Sequence, residues 1–182
     1  MEIILAENHG FCYGVKRAVE MANEAAEGKG KSYTLGPIIH NPQVVGRLES
    51  KGVSPIQEVA DIDEGTMIIR SHGVGPAIYA EAEEKGLHIL DATCPHVKKA
   101  QQDAKSVIED GMTLVILGEK NHPEVKSINL WANNKGIIIE DEESAKKLQI
   151  VEKMGVVVQT TFSQFKFNSI IEILEKKSKN LK

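Results

Sequence analysis

The chain has 182 residues, 41% hydrophobic and 26% charged, with a net charge of −4. That length suits one domain or two small ones, and the composition is that of an ordinary globular protein. The acidic balance and an aromatic content of only 4% argue against non-specific nucleic-acid binding and base stacking, and no apolar run approaches the ~20 residues that span a bilayer.

In chain order, EIILA (2–6) reads as a buried strand. Val15 to Ala26 carries apolar residues at helical spacing and stops at GKGK (28–31). SYTLG (32–36) reads as a strand. Asn41 and Pro42 form an N-cap and first-turn pair, opening a helix to Ser50. TMIIR (66–70) is a strand followed by the loop SHGVG, residues 76–85 a helix ending at Gly86, and LHIL (87–90) a strand. Residues 95–109 form a helix behind Pro95. MTLVIL (112–117) is a strand, Pro123 to Trp131 a helix, GIIIE (136–140) a strand and 142–148 a short helix. GVVVQ (155–159) and a helix over 163–177 complete the series, and the tail KKSKNLK shows no core signal of its own. Strands alternating with helices predict an α/β fold of largely parallel sheets.

The chain contains two cysteines, and their surroundings repeat. Placing FCYGVKRAVE on TCPHVKKA superimposes Cys12 on Cys94, Val15 on Val97, Lys16 on Lys98 and Ala18 on Ala100. Gly36 then falls on Gly118 and His40 on His122. Self-similarity of this kind marks a repeated structural unit. Two units are expected, 1–94 and 95–182, each carrying a Cys and a His behind strands, where open parallel sheets bind ligands. The spacing from His72 to Cys94, applied from Thr160, brings a third unit and a third cysteine to about the point where the chain stops. The expected architecture is therefore two of a pseudo-threefold set of three small parallel-sheet units, the third absent from this chain.

With no signal-peptide organisation, the expected location is cytoplasmic, where paired cysteines are reactive, metal-binding or buried rather than disulfide-bonded. Four readings stand side by side: buried apolar thiols, a redox pair (which lacks the usual CxxC spacing), a zinc site with histidines, and an iron–sulfur cluster taking one cysteine per repeat. His40, His72 and His122 follow strands beside Gly, Pro or Ser, a pattern suited to a functional site. Lys16, Arg17, Lys98 and Lys99 lie in first turns of helices, where a cation opposes the helix dipole; they are either solvated or anion-binding. Glu124, two residues after His122, is a candidate proton donor, and Thr160 a candidate hydroxyl contact.

The phrases GFCYGVKRAV, GPIIHNPQVV, RSHGV, DATCPHVKKA, HPEV and QTTFS, in this order, resemble the IspH (LytB) family of 4-hydroxy-3-methylbut-2-enyl diphosphate reductases over nearly the whole chain. The resemblance implies a three-domain fold around a [4Fe–4S] cluster. It implies reductive removal of the allylic hydroxyl of the substrate, giving isopentenyl and dimethylallyl diphosphates, with electrons from ferredoxin or flavodoxin. It implies that Cys12 and Cys94 are cluster ligands, that His40, His72 and His122 hold the diphosphate, that Glu124 supplies protons and that Thr160 lies near the hydroxyl. The third cluster cysteine of the family is absent, and KSINLWA replaces the usual glycine-rich continuation after HPEV. The isolated chain is accordingly expected to show little reductase activity, to lack or hold its cluster poorly, and to self-associate through an apolar surface. The alternatives are a non-redox diphosphate- or metal-binding module and a degenerate structural protein. No nucleic-acid or membrane partner is expected.

Overall fold

The computed structural model describes residues 2–7, 9–28 and 30–182. In chain order these form α1 (Tyr13–Glu27), β1 (Ser32–Leu35), α2 (Pro42–Ser50), β2 (Val53–Ile56), a 3-10 turn (Val59–Asp61), β3 (Thr66–Ile69), α3 (Pro76–Glu84) and β4 (His88–Asp91). Then follow α4 (Pro95–Glu109), β5 (Thr113–Leu117), α5 (Pro123–Trp131), β6 (Ile137–Ile139), α6 (Glu142–Lys147), β7 (Val151–Val158), α7 (Gln164–Glu175) and β8 (Ser178–Leu181). The strands make two four-stranded sheets of order β2-β1-β3-β4 and β6-β5-β7-β8. Every pairing is parallel. The second order is the first displaced by four strands, so the repeat read from cysteines and histidines is also a repeat of topology. This is the α/β architecture that alternating elements predict.

Each sheet is covered on both faces, as parallel sheets require. In the first, Ile68 faces Ala18, Ala22 and Leu48, while Met67 and Ile69 face Val59, Ile62 and Ala82. In the second, Leu114 and Ile116 pack on Ala104, Val107 and Ile128, while Val115 and Leu117 pack on Ile170 and Leu174. Period-2 alternation along short apolar strands produces these opposed faces.

Three sequence expectations change. EIILA pairs with no strand among the described residues, and Ile3, Ile4 and Leu5 are 74%, 83% and 75% exposed. The topology explains it. The strand that precedes Cys94, β4, joins the sheet of the preceding unit, and neither sheet receives the corresponding segment before Cys12. A short apolar run without an edge to pair on forms no ladder. The tail, read as lacking signal, forms β8 beside β7; it is the counterpart of β4, polar because it lies at an edge. The unforeseen β2 carries Pro55 at the edge of its sheet, the place in a sheet that tolerates proline. No described helix is long and apolar enough to cross a membrane.

Candidate functional site

Both cysteines occupy the same structural position. Cys12 is the N-cap of α1 and Cys94 the N-cap of α4, two 15-residue helices. Each cysteine's carbonyl accepts the first helical bond, from Lys16 N–H and from Lys98 N–H, both at 2.9 Å. The first turn of α1 lies against the second cysteine. A Cβ placed on Gly14 would lie 2.4 Å from Cys94 Sγ, so only glycine lets the first turn of α1 approach the second cysteine this closely. Both thiols are free, with Cys12 exposed and Cys94 half-buried.

The basic residues beside them are engaged by the protein. Arg17 donates to the carbonyls of Thr93 and Asp91 at 3.2 and 3.4 Å, tying α1 to the end of β4. Lys98 pairs with Asp91 at 2.7 Å, and Lys16 and Lys99 pair with Glu20 and Asp103. Burial opposes the charge on Asp91, but hydrogen bonds from Lys98 and Thr93 hold its carboxyl below the usual carboxylate range. Lys16 and Lys99 stay 70% exposed in their pairs, as the solvated reading has it, whereas Arg17 and Lys98 are taken up by contacts at the end of β4.

His40, His72 and His122 converge. Their ring centroids are 4.5, 5.4 and 5.9 Å apart in pairs, and one nitrogen from each lies within 4.8 Å of the others. Strand ends deliver all three: His40 follows β1, His72 follows β3 and His122 follows β5. Their hydrogen bonding differs. His122 is the N-cap of α5, and its Nδ1 accepts from Glu124 N–H at 3.2 Å. A nitrogen that accepts carries a lone pair, so the neutral ring holds its proton on Nε2 and is a donor there. Burial, and then the charges of His40, Arg70 and His122, lower the pKa of His72 to about 3. It is therefore neutral at physiological pH. Such rings suit an oxygen-rich anion that accepts N–H bonds. The same three rings lie close enough together for one nitrogen of each to reach a single metal ion.

Glu124 is 2% exposed. Its Oε1 accepts Thr160 N–H at 2.6 Å and its Oε2 accepts the Thr160 hydroxyl at 2.8 Å. These bonds join α5 to the end of β7, 36 residues apart, and leave the Thr160 oxygen lone pairs free to accept from a ligand. Gln159 supports the junction, accepting Glu119 N–H and donating to Thr161 Oγ1, each at 2.9 Å.

Residues not read from sequence join the two sheets behind this site. Ser127 donates to the His72 carbonyl at 2.8 Å and receives a bond from Gln101 at 3.0 Å. Trp131 Nε1 donates to the Val74 carbonyl at 2.8 Å. Both belong to the KSINLWA segment, which continues α5 instead of forming a glycine-rich loop. Their partners lie 55 and 57 residues away, and no local pattern announces such a contact.

Two topologically equivalent parallel-sheet units, each with a helix-capping cysteine and a strand-end histidine, define a repeat-built α/β protein. The chain belongs to the LytB protein family, which it matches over residues 3–182. It is 51% identical over 163 residues to 4-hydroxy-3-methylbut-2-enyl diphosphate reductase of Geobacter metallireducens, covering 90% of this chain and 58% of that protein. It is 45% identical to the reductase of that name from Caldanaerobacter subterraneus subsp. tengcongensis, covering 100% and 65%. The chain thus spans about three-fifths of the length of these relatives. Among solved structures it resembles (E)-4-hydroxy-3-methyl-but-2-enyl diphosphate reductase, the terminal enzyme of the non-mevalonate pathway, with TM-score 0.85, 42% identity and coverage of 99% and 66%. It also resembles the E-1-hydroxy-2-methyl-but-2-enyl-4-diphosphate reductase of Plasmodium falciparum, with TM-score 0.89, 32% identity and coverage of 94% and 55%.

Proposed function

We propose that this chain forms the diphosphate-binding and proton-delivering part of a reductase that removes the allylic hydroxyl of 4-hydroxy-3-methylbut-2-enyl diphosphate. The convergence of His40, His72 and His122 beside the Glu124–Thr160 pair carries the reading. In it, units 1–94 and 95–182 each contribute a thiolate, a third unit supplies the remaining ligand, and Ile3, Ile4, Leu5 and Phe11 offer the apolar surface for self-association. The compartment is the cytoplasm and the electron donor is of the ferredoxin or flavodoxin class.

The residues present fit an iron–sulfur group in kind: two free thiols at helix N-termini, one cradled by Gly14. Cys12 and Cys94 would hold it. When bound, a [4Fe–4S] cluster supplies electrons and a Lewis-acidic position. The reaction consumes two electrons and two protons. The C–O bond becomes a C–H bond, the hydroxyl leaves as water and the diphosphate is unchanged. The histidines bind the diphosphate with N–H donors and fix the allylic carbon in place, so binding energy remote from the reacting bond orients it. For delivery, protonated Glu124 donates to the Thr160 hydroxyl oxygen while Thr160 passes its own proton to the departing hydroxyl, which leaves as water, and Glu124 is left as the carboxylate that accepts from Thr160.

Titrating inorganic diphosphate into the chain by calorimetry tests the binding half. Saturable binding is expected, weakened about tenfold by His40→Ala and by His122→Ala, as loss of one charge-assisted bond predicts. Affinity indifferent to both substitutions would contradict it.

A further inference from the structure

A cavity of about 300 Å³ opens beside the histidine cluster, and none of its walls is one of the three histidines. Gly36 at the end of β1, Arg70 at the end of β3, Gly75 before α3 and Pro123 at the start of α5 surround it. Strand β1 connects onward to β2 on one side and has β3 on its other side. The cavity therefore sits at the switch point of the first sheet, where parallel sheets take ligands.

Arg70 is the anomaly within it. Its Nε is buried without a hydrogen-bond partner. Burial lowers the proton affinity of the guanidinium, and no Asp or Glu lines the cavity to compensate. A second cation, Lys126, lines the same space. Unpaired, partly desolvated charge is costly; Arg70 carries it here, and the exposed Lys126 adds a second cation with no acid among the walls. The backbone favours the arrangement: Gly36 has φ of 71°, and a Cβ there would lie 2.9 Å from Arg70 Nη1. The remaining walls include Leu35, Val74, Ile78 and Leu130.

We propose that this cavity is a second anion site, separate from the histidine cluster, for a phosphate monoester bearing a short apolar group. Arg70 and Lys126 contact the phosphate, and the apolar walls take the organic group. Forked N–H donors make Arg70 the main contact.

The chain contains three arginines, Arg17, Arg47 and Arg70, so nitrogen-15 spectra of the arginine Nε–H groups resolve the question at the atom concerned. Isopentyl phosphate and inorganic phosphate are titrated separately into the 182-residue chain. Saturable displacement of the Arg70 signal, with Arg17 and Arg47 unmoved, is expected for both, with tighter binding of the ester. Lys126→Gln should weaken ester binding a few-fold, Arg70→Met about tenfold or more, and the displacement should persist in His40→Ala. An unmoved Arg70 signal overturns the site, and so does Arg70→Met binding like the parent. Equal affinity for ester and phosphate overturns its apolar half. Loss of the displacement in His40→Ala overturns its separateness. The wild-type spectrum decides even where Arg70→Met fails to fold.

Discussion

The two units use one backbone plan but fix their histidines differently. In the first, Asn41 intervenes between His40 and α2, and its Oδ1 accepts Val44 N–H at 3.1 Å; His40 is left exposed and free of capping duty. In the second, His122 itself caps α5, and Glu124 follows in the first turn. One inserted residue thus separates an exposed histidine without a cap bond from one oriented by its cap. It also explains why the buried carboxylate belongs to the second unit: once the histidine is the cap, the second helical position turns inward onto Thr160. Repetition supplied the scaffold, and asymmetry at one cap distinguishes the two histidines.

That difference can be broken in order of severity. Glu124→Ala removes the acceptor for two Thr160 donors in a buried setting, and a loss of about 2–3 kcal/mol is expected in urea unfolding. Glu124→Gln should keep most of that stability and still abolish reductase turnover in an enzyme completed by a third unit. His122→Ala should cost about 1 kcal/mol as a lost cap and weaken diphosphate binding as well. Asn41→Ala should cost a similar amount but leave diphosphate affinity intact, since Asn41 serves only the helix. His40→Ala should do the reverse, changing stability by less than about 0.5 kcal/mol while weakening binding. If His40→Ala destabilised as much as His122→Ala, the contrast between the two caps would fail.

The third member of the cluster adds a pH dependence. His72 has a folded pKa of about 3 against an ordinary value of 6.5, so between those values the unfolded chain binds a proton that the folded chain does not. Its contribution to stability is full above pH 6.5 and is lost progressively as pH falls towards 3. His72→Gln should flatten the stability profile in this window, measured as urea midpoint against pH. An unchanged slope would mean that His72 is not held neutral by the fold.

Much of this was legible beforehand because it is local. Asn41-Pro42 and Pro95 announce helix starts, strand-end Cys and His recur at matched spacing, and α2, α4 and α5 fall within the expected bounds. EIILA misled because strand formation depends on a partner edge, not on apolar residues alone. Strands β2 and β8 were hidden because edge strands tolerate Pro55 and the polar SKNL run. Arg70, Gln101, Ser127 and Trp131 were invisible as site builders because their partners or cavity walls come from distant sequence. The cysteine repeat, by contrast, survived because N-cap positions are set by the few residues around them.

Cadmium titration of the reduced chain tests most directly whether Cys12 and Cys94 serve one centre. Sulfur-to-metal ultraviolet absorption saturating at one cadmium per chain is expected, with tight binding lost in both Cys12→Ser and Cys94→Ser. Retention of tight binding in either variant, or independent uptake by each thiolate, would contradict it.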